Sequence, residues 1–203
     1  MRGEAREESA APGVVVLAGP NGAGKTTAAP LLLRGALGVS EFVNADVIAH
    51  GLSGFEPEGA ALAAGRVMLA RLRDLAHRRE SFAFESTLAS RLLVRWLARL
   101  IESGYAFHLV FLWLPSPDFA VARVAERVRM GGHAVPEQTI RRRYDAGLRN
   151  FFRLYRPLAS TWRLHDNSRA APRLVAEGKA LTTAYVADEA TWGRIVLRYS
   201  HEH

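Results

Sequence analysis

The 203-residue chain contains no cysteine. That excludes a disulfide scaffold, a thiolate metal centre and a cysteine nucleophile. Lysine is almost missing as well, since only Lys25 and Lys179 among the 27 basic residues are lysines. Nor is there a long apolar run: the longest, Ala106–Leu114, is far too short to cross a bilayer. The opening MRGEAREESAAPG is charged and lacks the apolar stretch of a secretory signal. It predicts a disordered tail over residues 1–13, a cytoplasmic protein, and one domain over 14–203. Seven histidines stand at no metal-ligand spacing, and His133, His201 and His203 read as loop or tail residues. The net charge of +7 raises the question of nucleic acid. No recognition motif accompanies it, so neither a nucleic-acid nor a membrane partner is expected and the charge reads as solvated arginine-rich helix faces.

Against these absences stands one dense stretch, VVVLAGPNGAGKTT at 14–27. Its four leading apolar residues read as a buried strand of a parallel sheet. Gly19-Pro20-Asn21-Gly22-Ala23-Gly24-Lys25-Thr26 then fits G-x-x-x-x-G-K-[ST], the phosphate-binding P-loop. Glycines let successive backbone N–H groups turn inward around a phosphate, and a helix starting near Gly24 aims its positive end at the same anion. Lys25 reaches the β- and γ-phosphates, and the Thr26 hydroxyl is the candidate Mg²⁺ ligand. A chain that otherwise uses arginine has placed a lysine where a slim ammonium is needed. The candidate ATP-binding set is Gly19, Asn21, Gly22, Ala23, Gly24, Lys25, Thr26 and Thr27.

Downstream, short apolar runs alternate with helical patterns, the βαβ rhythm of a parallel sheet covered on both faces. A first helix is expected from Gly24 towards Leu37, kinked at Pro30. Strands are expected at Glu41–Asn44, Ser81–Phe84, Ala106–Leu114 and Trp162–His165. Helices are expected at Ala60–Arg79, Ser90–Ser103, Pro117–Met130, Pro136–Leu158 and Asp188–Tyr199, with a glycine-rich loop (Gly51, Gly54, Gly59) before the first of them. The last helix turns Trp192, Ile195 and Val196 inward. Trp96, Trp113 and Trp162 also read as core.

Ligands in open α/β sheets bind beyond the carboxyl ends of the strands, so polar residues ending strands are the suspects for chemistry. Asp46 follows the second strand and Glu85 the third; either carboxylate could take the proton of an attacking hydroxyl or help to hold Mg²⁺. Asp46 could equally cap the helix after it, and Glu85 could be a helix N-terminal charge. The substrate-binding set is Asn44, Asp46, Glu85, Ser86 and Thr87. No strand ends in the acidic residue of a Walker B; Ala106–Leu114 runs into Pro115, which argues against motor and transporter ATPases. Arg123, Arg127 and Arg129, the Gly131-Gly132 break and Arg141-Arg142-Arg143 read as a hinged lid that closes over transferring phosphates. Arg149, Arg153 and Arg156 read as surface residues. Two readings remain open on the residues alone: a kinase, or a non-transferring P-loop NTPase switch with its basic helices on nucleic acid.

GPNGAGKTT, FVNADVIA, FAFESTLAS, RVRMGGHAVPEQTIRRRY and a late DNS, taken in that order, resemble the zeta toxin family of P-loop kinases from Val14 to about Ser168. The resemblance implies a five-stranded parallel sheet like that of nucleotide and shikimate kinases. It implies ATP-dependent phosphorylation of a hydroxyl on a UDP-N-acetyl amino sugar, and an antitoxin protein that holds the enzyme inactive. By motif position Asp46 resembles the general base, Lys25 the phosphate lysine and Glu85 the acid near the substrate. Arg129 and Arg142 most resemble the catalytic lid arginines, with Arg127, Arg141 and Arg143 as alternatives, and Asn167 falls near the adenine. Where well-studied members carry a basic residue and a His-Pro after the catalytic aspartate, this chain reads Val47-Ile48-Ala49-His50-Gly51.

Overall fold

The computed structural model describes residues 11–35, 39–53, 59–132 and 134–200. Residues 1–10 of the tail expected over 1–13, with Gly54, His133, His201 and His203, lie outside the described residues.

Strand β1 (Gly13–Ala18) carries four consecutive apolar side chains from Val14 to Leu17, none more than 1% exposed. Successive strand side chains face opposite ways, so such a run is stable only where both faces of the sheet are covered. β1 lies between β3 (Phe82–Ser86) and β4 (Ala106–Trp113), parallel to both. β2 (Glu41–Val43) pairs with β3, and β5 (Thr161–Asp166) with β4, again in parallel. In the order β2-β3-β1-β4-β5 all five carboxyl ends fall on one edge. The chain leaves β1 towards β2 on one side and later comes back to β4 on the other, which makes the end of β1 the topological switch point. β1 starts one residue earlier than expected, and the Pro12 carbonyl accepts the Ala106 N–H at 2.9 Å.

The sheet does not stop at five strands. β6 (Arg173–Lys179) and β7 (Thr182–Val186) extend it to seven, each antiparallel to its predecessor. The connection between them is Ala180-Leu181, with Ala180 at φ 44°. A two-residue hairpin normally signals itself by Asn-Gly or Asp-Gly, and an alanine in the left-handed region leaves no such mark.

Helix α1 (Lys25–Ala29) continues as a π turn over Pro30–Gly35. The expected kink at Pro30 takes this form because proline has no N–H to close the i→i−4 bond, and the wider turn follows. Helix α2 (Ala45–Leu52) begins directly after β2, ahead of Asp46, and takes in Gly51 of the expected glycine-rich loop; α3 (Ala61–His77) and α4 (Leu92–Glu102) follow as read. Helices α5 (Pro117–Arg129) and α6 (Glu137–Asn150) flank the Gly131-Gly132 break, and α6 runs on through a π turn to Tyr155 and a 3₁₀ turn to Leu158. Helix α7 (Glu189–Tyr199) is capped by Asp188, which accepts the Thr191 N–H at 2.9 Å. No helix among the described residues is long and apolar enough to cross a membrane.

Aromatic rings fill the space between the sheet and the end of α6. Phe151 lies 5.2 Å from Phe111 and 6.0 Å from Trp162, and Trp162 stacks on Trp192 at 5.5 Å. Arg156 is part of this core, contrary to the surface reading. Its guanidinium lies 4.5 Å over the Trp162 ring and donates to the Ala180 and Leu181 carbonyls, so the hairpin turn is fastened to α6. Burial pulls its pKa down. A polar group survives there because backbone carbonyls meet its donors.

Candidate active site

The P-loop follows β1 at the switch point. Gly19 has φ 145°, and a Cβ there would meet the Leu112 carbonyl at 2.4 Å. Gly24 has φ 73°, and its Cβ would lie 2.9 Å from the Asn167 amide nitrogen. Both positions therefore need glycine on conformational and steric grounds. The Gly19 N–H donates to the Ser86 carbonyl at 3.2 Å, which ties the loop to the end of β3.

Lys25 opens α1 and folds its ammonium back over the loop, donating to the Gly19 and Pro20 carbonyls at 3.0 Å each. An ammonium has three donors, so one is left for a phosphate oxygen. Burial lowers its pKa, while the Glu85 and Asp46 carboxylates work against that. Thr26 and Thr27 are exposed on the first turn of α1.

Asn44, not Asp46, caps α2. Its Oδ1 accepts the Asp46 N–H at 2.8 Å and the Val47 N–H at 3.3 Å, and its amide donates to the Thr26 hydroxyl at 3.3 Å. The side chain expected to touch substrate is thus committed to joining α2 to the P-loop. That frees Asp46 in the first turn of α2, exposed and on the cleft.

Glu85 stands near the end of β3, with Oε1 buried and without a hydrogen-bond partner. Desolvation raises its pKa; Lys25 and a hydrogen bond from Thr26 hold it down, and Asp46 pushes it up. Ser86 and Thr87 shape the loop that follows: Ser86 Oγ accepts the Leu88 N–H at 3.0 Å, and Leu88 takes φ 55° with its side chain fully buried.

These residues surround one cleft of about 270 Å³, lined by Asn21, Lys25, Asn44, Asp46, Glu85, Ser86 and Thr87, with Ala45, Ala49, His50 and Arg143. Arg143 reaches it from α6 and donates to Asn21 Oδ1 at 3.4 Å. Arg127 on α5 is close enough to depress the pKa values of Lys25 and Glu85. The two arginines read first as catalytic lie elsewhere. Arg129 is exposed on α5 and paired with Glu126. Arg142 is exposed and faces an adjoining cleft. Arg141 bridges Asp118 at 2.6 Å and Glu137 at 2.8 Å, joining α5 to α6. Successive side chains on a helix point about 100° apart, so the three neighbours of this arginine run are dealt to different surroundings, and only Arg143 lines the P-loop cleft. Asn167 is buried, and its amide donates to the Ala23 carbonyl at 2.7 Å, so it supports the underside of the P-loop. His50 was missed. It lies one helical turn after Asp46, and the i, i+4 spacing would have put both on one face had Ala45–Leu52 been read as a helix.

Hard-oxygen donors suit Mg²⁺, and the Thr26 hydroxyl beside the unpartnered Glu85 Oε1 supplies two of them. Among the described residues no group of three or more His, Cys, Asp or Glu could hold a metal by itself.

Fold and loop together define a P-loop nucleotide-binding protein. The family described as AAA domain matches residues 14–154, and the chain belongs to that family. An uncharacterized protein of Haemophilus influenzae is 28% identical over 126 residues, 62% of this chain and 88% of that one. Among solved structures, the complex of AvrRxo1-ORF1 with AvrRxo1-ORF2 and sulphate ions superposes with a TM-score of 0.72 at 16% identity, covering 97% of this chain and 66% of the other. The same pair with ATP gives a TM-score of 0.68 at 16% identity over 97% and 66%. The PezAT chromosomal toxin–antitoxin system of Streptococcus pneumoniae gives 0.63 at 14% identity over 97% and 82%. The resemblance to zeta toxins is therefore borne out at the level of the fold.

Proposed function

We propose that this protein is an ATP-dependent kinase of zeta-toxin type, transferring the γ-phosphoryl group to a hydroxyl of a sugar or nucleotide-sugar acceptor. The observation that carries the reading is the pairing, in one cleft at the mouth of the P-loop, of Lys25 with the carboxylates of Asp46 and Glu85. A switch that only binds or hydrolyses nucleotide has no use for a second cleft wall of this kind. A kinase needs one to hold its acceptor.

In this reading the loop N–H groups and the Lys25 ammonium hold the β- and γ-phosphates. The Thr26 hydroxyl, with Glu85 beside it, holds Mg²⁺, which neutralises phosphate charge when bound. Asp46 accepts the proton of the acceptor hydroxyl as its oxygen bonds to the γ-phosphorus. The bond from that phosphorus to the β,γ-bridging oxygen breaks, and ADP carries away the electron pair. Arg143 stabilises the charge spread over the equatorial oxygens. Glu85, with Oε1 buried beside the P-loop, is placed for the metal side, and Asp46, exposed on the cleft, for the acceptor. A cytoplasmic location and regulation by a small antitoxin protein that covers the cleft belong to the same proposal; the toxin–antitoxin complexes among the similar folds support the second.

Transfer of labelled γ-phosphate from Mg-ATP to nucleotide sugars and small alcohols tests it, with wild type beside Lys25→Ala and Asp46→Asn. General-base loss predicts a fall in kcat of about 10²- to 10⁴-fold in Asp46→Asn with ATP affinity retained. ATP hydrolysis with no labelled acceptor, unaffected by Asp46→Asn, would make the protein an NTPase switch instead.

A further inference from the structure

Beside the candidate active site lies a second cleft of about 340 Å³, lined by Thr87, Ala89, Ser90, Arg142, Arg143 and Ala146. It shares Thr87 and Arg143 with the first, so the two adjoin. Their linings differ in charge. The first holds Asp46 and Glu85, whereas the second holds two guanidinium groups and no carboxylate.

Arg142 forms no hydrogen bond or ion pair with any described residue. Arg143 makes one long bond, to Asn21. Each of the other lid-region arginines is engaged: Arg123 on the Asn167 and Ser168 carbonyls, Arg129 on Glu126, Arg141 on Asp118 and Glu137. Burial, and after it the neighbouring charge of Arg142, depresses the pKa of Arg143 against the opposing pull of Asp46. Asp46 answers the charge of Arg143 in part, whereas no carboxylate lines the cleft beside Arg142, and an oxyanion between its guanidinium and the opposite wall would relieve the repulsion between the two cations.

That wall is rigid and rich in donors. Gly147 of α6 sits so close that a Cβ would meet the Thr87 carbonyl at 2.4 Å. Asn150 donates to the Leu88 carbonyl and Tyr155 to the Ser90 carbonyl, both at 2.6 Å. The Thr87 and Ser90 hydroxyls accept the Ala89 and Leu92 N–H groups, which leaves each O–H as a donor into the cleft.

We infer that Arg142, with Thr87 and Ser90, forms a subsite for an oxyanion carried by the acceptor, remote from the hydroxyl that receives the phosphoryl group. The acceptor is then an anionic alcohol, bearing a phosphate or a carboxylate, and not a neutral sugar. Arg143, shared by both clefts, serves the transferring phosphate, and Arg142 serves acceptor recognition in place of the γ-phosphate role read for it in the sequence. This rests on the kinase reading for the identity of the ligand as an acceptor, but the anion subsite can be measured without turnover.

The full chain is loaded with Mg²⁺ and a non-hydrolysable ATP analogue and titrated calorimetrically with two matched pairs. N-acetylglucosamine 1-phosphate against N-acetylglucosamine tests phosphate, and glucuronate against glucose tests carboxylate. The expected result is binding of one charged member at least about tenfold tighter than its neutral partner. Arg142→Ala, at an exposed position, then loses that preference while its affinity for the ATP analogue stays at the wild-type value. Equal binding of the neutral partner, no binding by either charged member, or a loss of analogue affinity in Arg142→Ala each overturns the subsite. Labelled transfer separates the two ideas. Phosphorylation of neutral alcohols leaves the kinase reading standing and removes the subsite, whereas Arg142-dependent binding without transfer to any acceptor keeps the subsite and removes the kinase.

Discussion

Arginine is the commonest charged residue of this chain, and several of its arginines do structural work that the sequence conceals. Arg141 clamps α5 to α6, Arg156 fastens a hairpin to the aromatic core, and Arg123 holds the segment after β5. Identity alone could not separate these from Arg143, which differs only in the direction its helix gives it. A contrast between two arginines of the same lid follows. Arg143→Ala should lower kcat by at least about a hundredfold, because a guanidinium on the developing phosphoryl charge is lost. Arg129→Ala should stay within about twofold, since it removes only an exposed i, i+3 pair with Glu126. Steady-state phosphotransfer with both variants checks this; an equal loss in both would mean that Arg129 also reaches the phosphates, as the sequence resemblance assigns it.

Among the elements, α6 does more than carry arginines. It packs on the loop after β3 through three backbone contacts, at Thr87, Leu88 and Ser90. The loop holds Leu88 in the left-handed region, a strained conformation that persists only under such restraint. Asn150→Ala leaves the buried Leu88 carbonyl without its donor and should destabilise the fold by about 1–3 kcal/mol. Gly147→Ala forces a methyl group towards a carbonyl and should cost at least as much, about 1–3 kcal/mol, with a raised KM for the acceptor and an unchanged KM for ATP. Urea unfolding and two-substrate kinetics report the two effects separately, and a shift in the ATP constant alone would refute the coupling of α6 to the acceptor side. The legibility of the elements follows the same physics. The P-loop, the five parallel strands and the long helices were readable because apolar runs and glycine spacing are local signals. The β6–β7 hairpin was not, because its turn uses Ala180 where a glycine or asparagine would have marked it. Helix α2 was hidden too. Its eight residues are short, and the cap was sought at Asp46 when Asn44 supplies it.

Across the whole molecule the sheet that positions the site also carries a titratable group with no part in the chemistry. His165 on β5 is 9% exposed and its Nδ1 has no hydrogen-bond partner. Burial, reinforced by Arg163 and opposed by Glu177, brings its pKa down to about 4. An unfolded chain restores it to about 6.5, so between these values the unfolded state binds the additional proton. Stability from this residue is therefore complete above pH 6.5 and is lost as pH falls towards 4, to the extent of about 2–3 kcal/mol. Carboxylates such as Asp188, whose pKa the Thr191 N–H lowers, act in the same direction at lower pH, so the raw slope does not isolate the histidine. His165→Phe does, since it fills similar volume and cannot be protonated. Urea denaturation at pH 7.5 and 4.5 should show wild type losing about 2 kcal/mol more than His165→Phe over that interval. Parallel losses in the two proteins would mean that the folded sheet does not hold the imidazole below its ordinary pKa, and that the acid sensitivity of the molecule comes from its carboxylates.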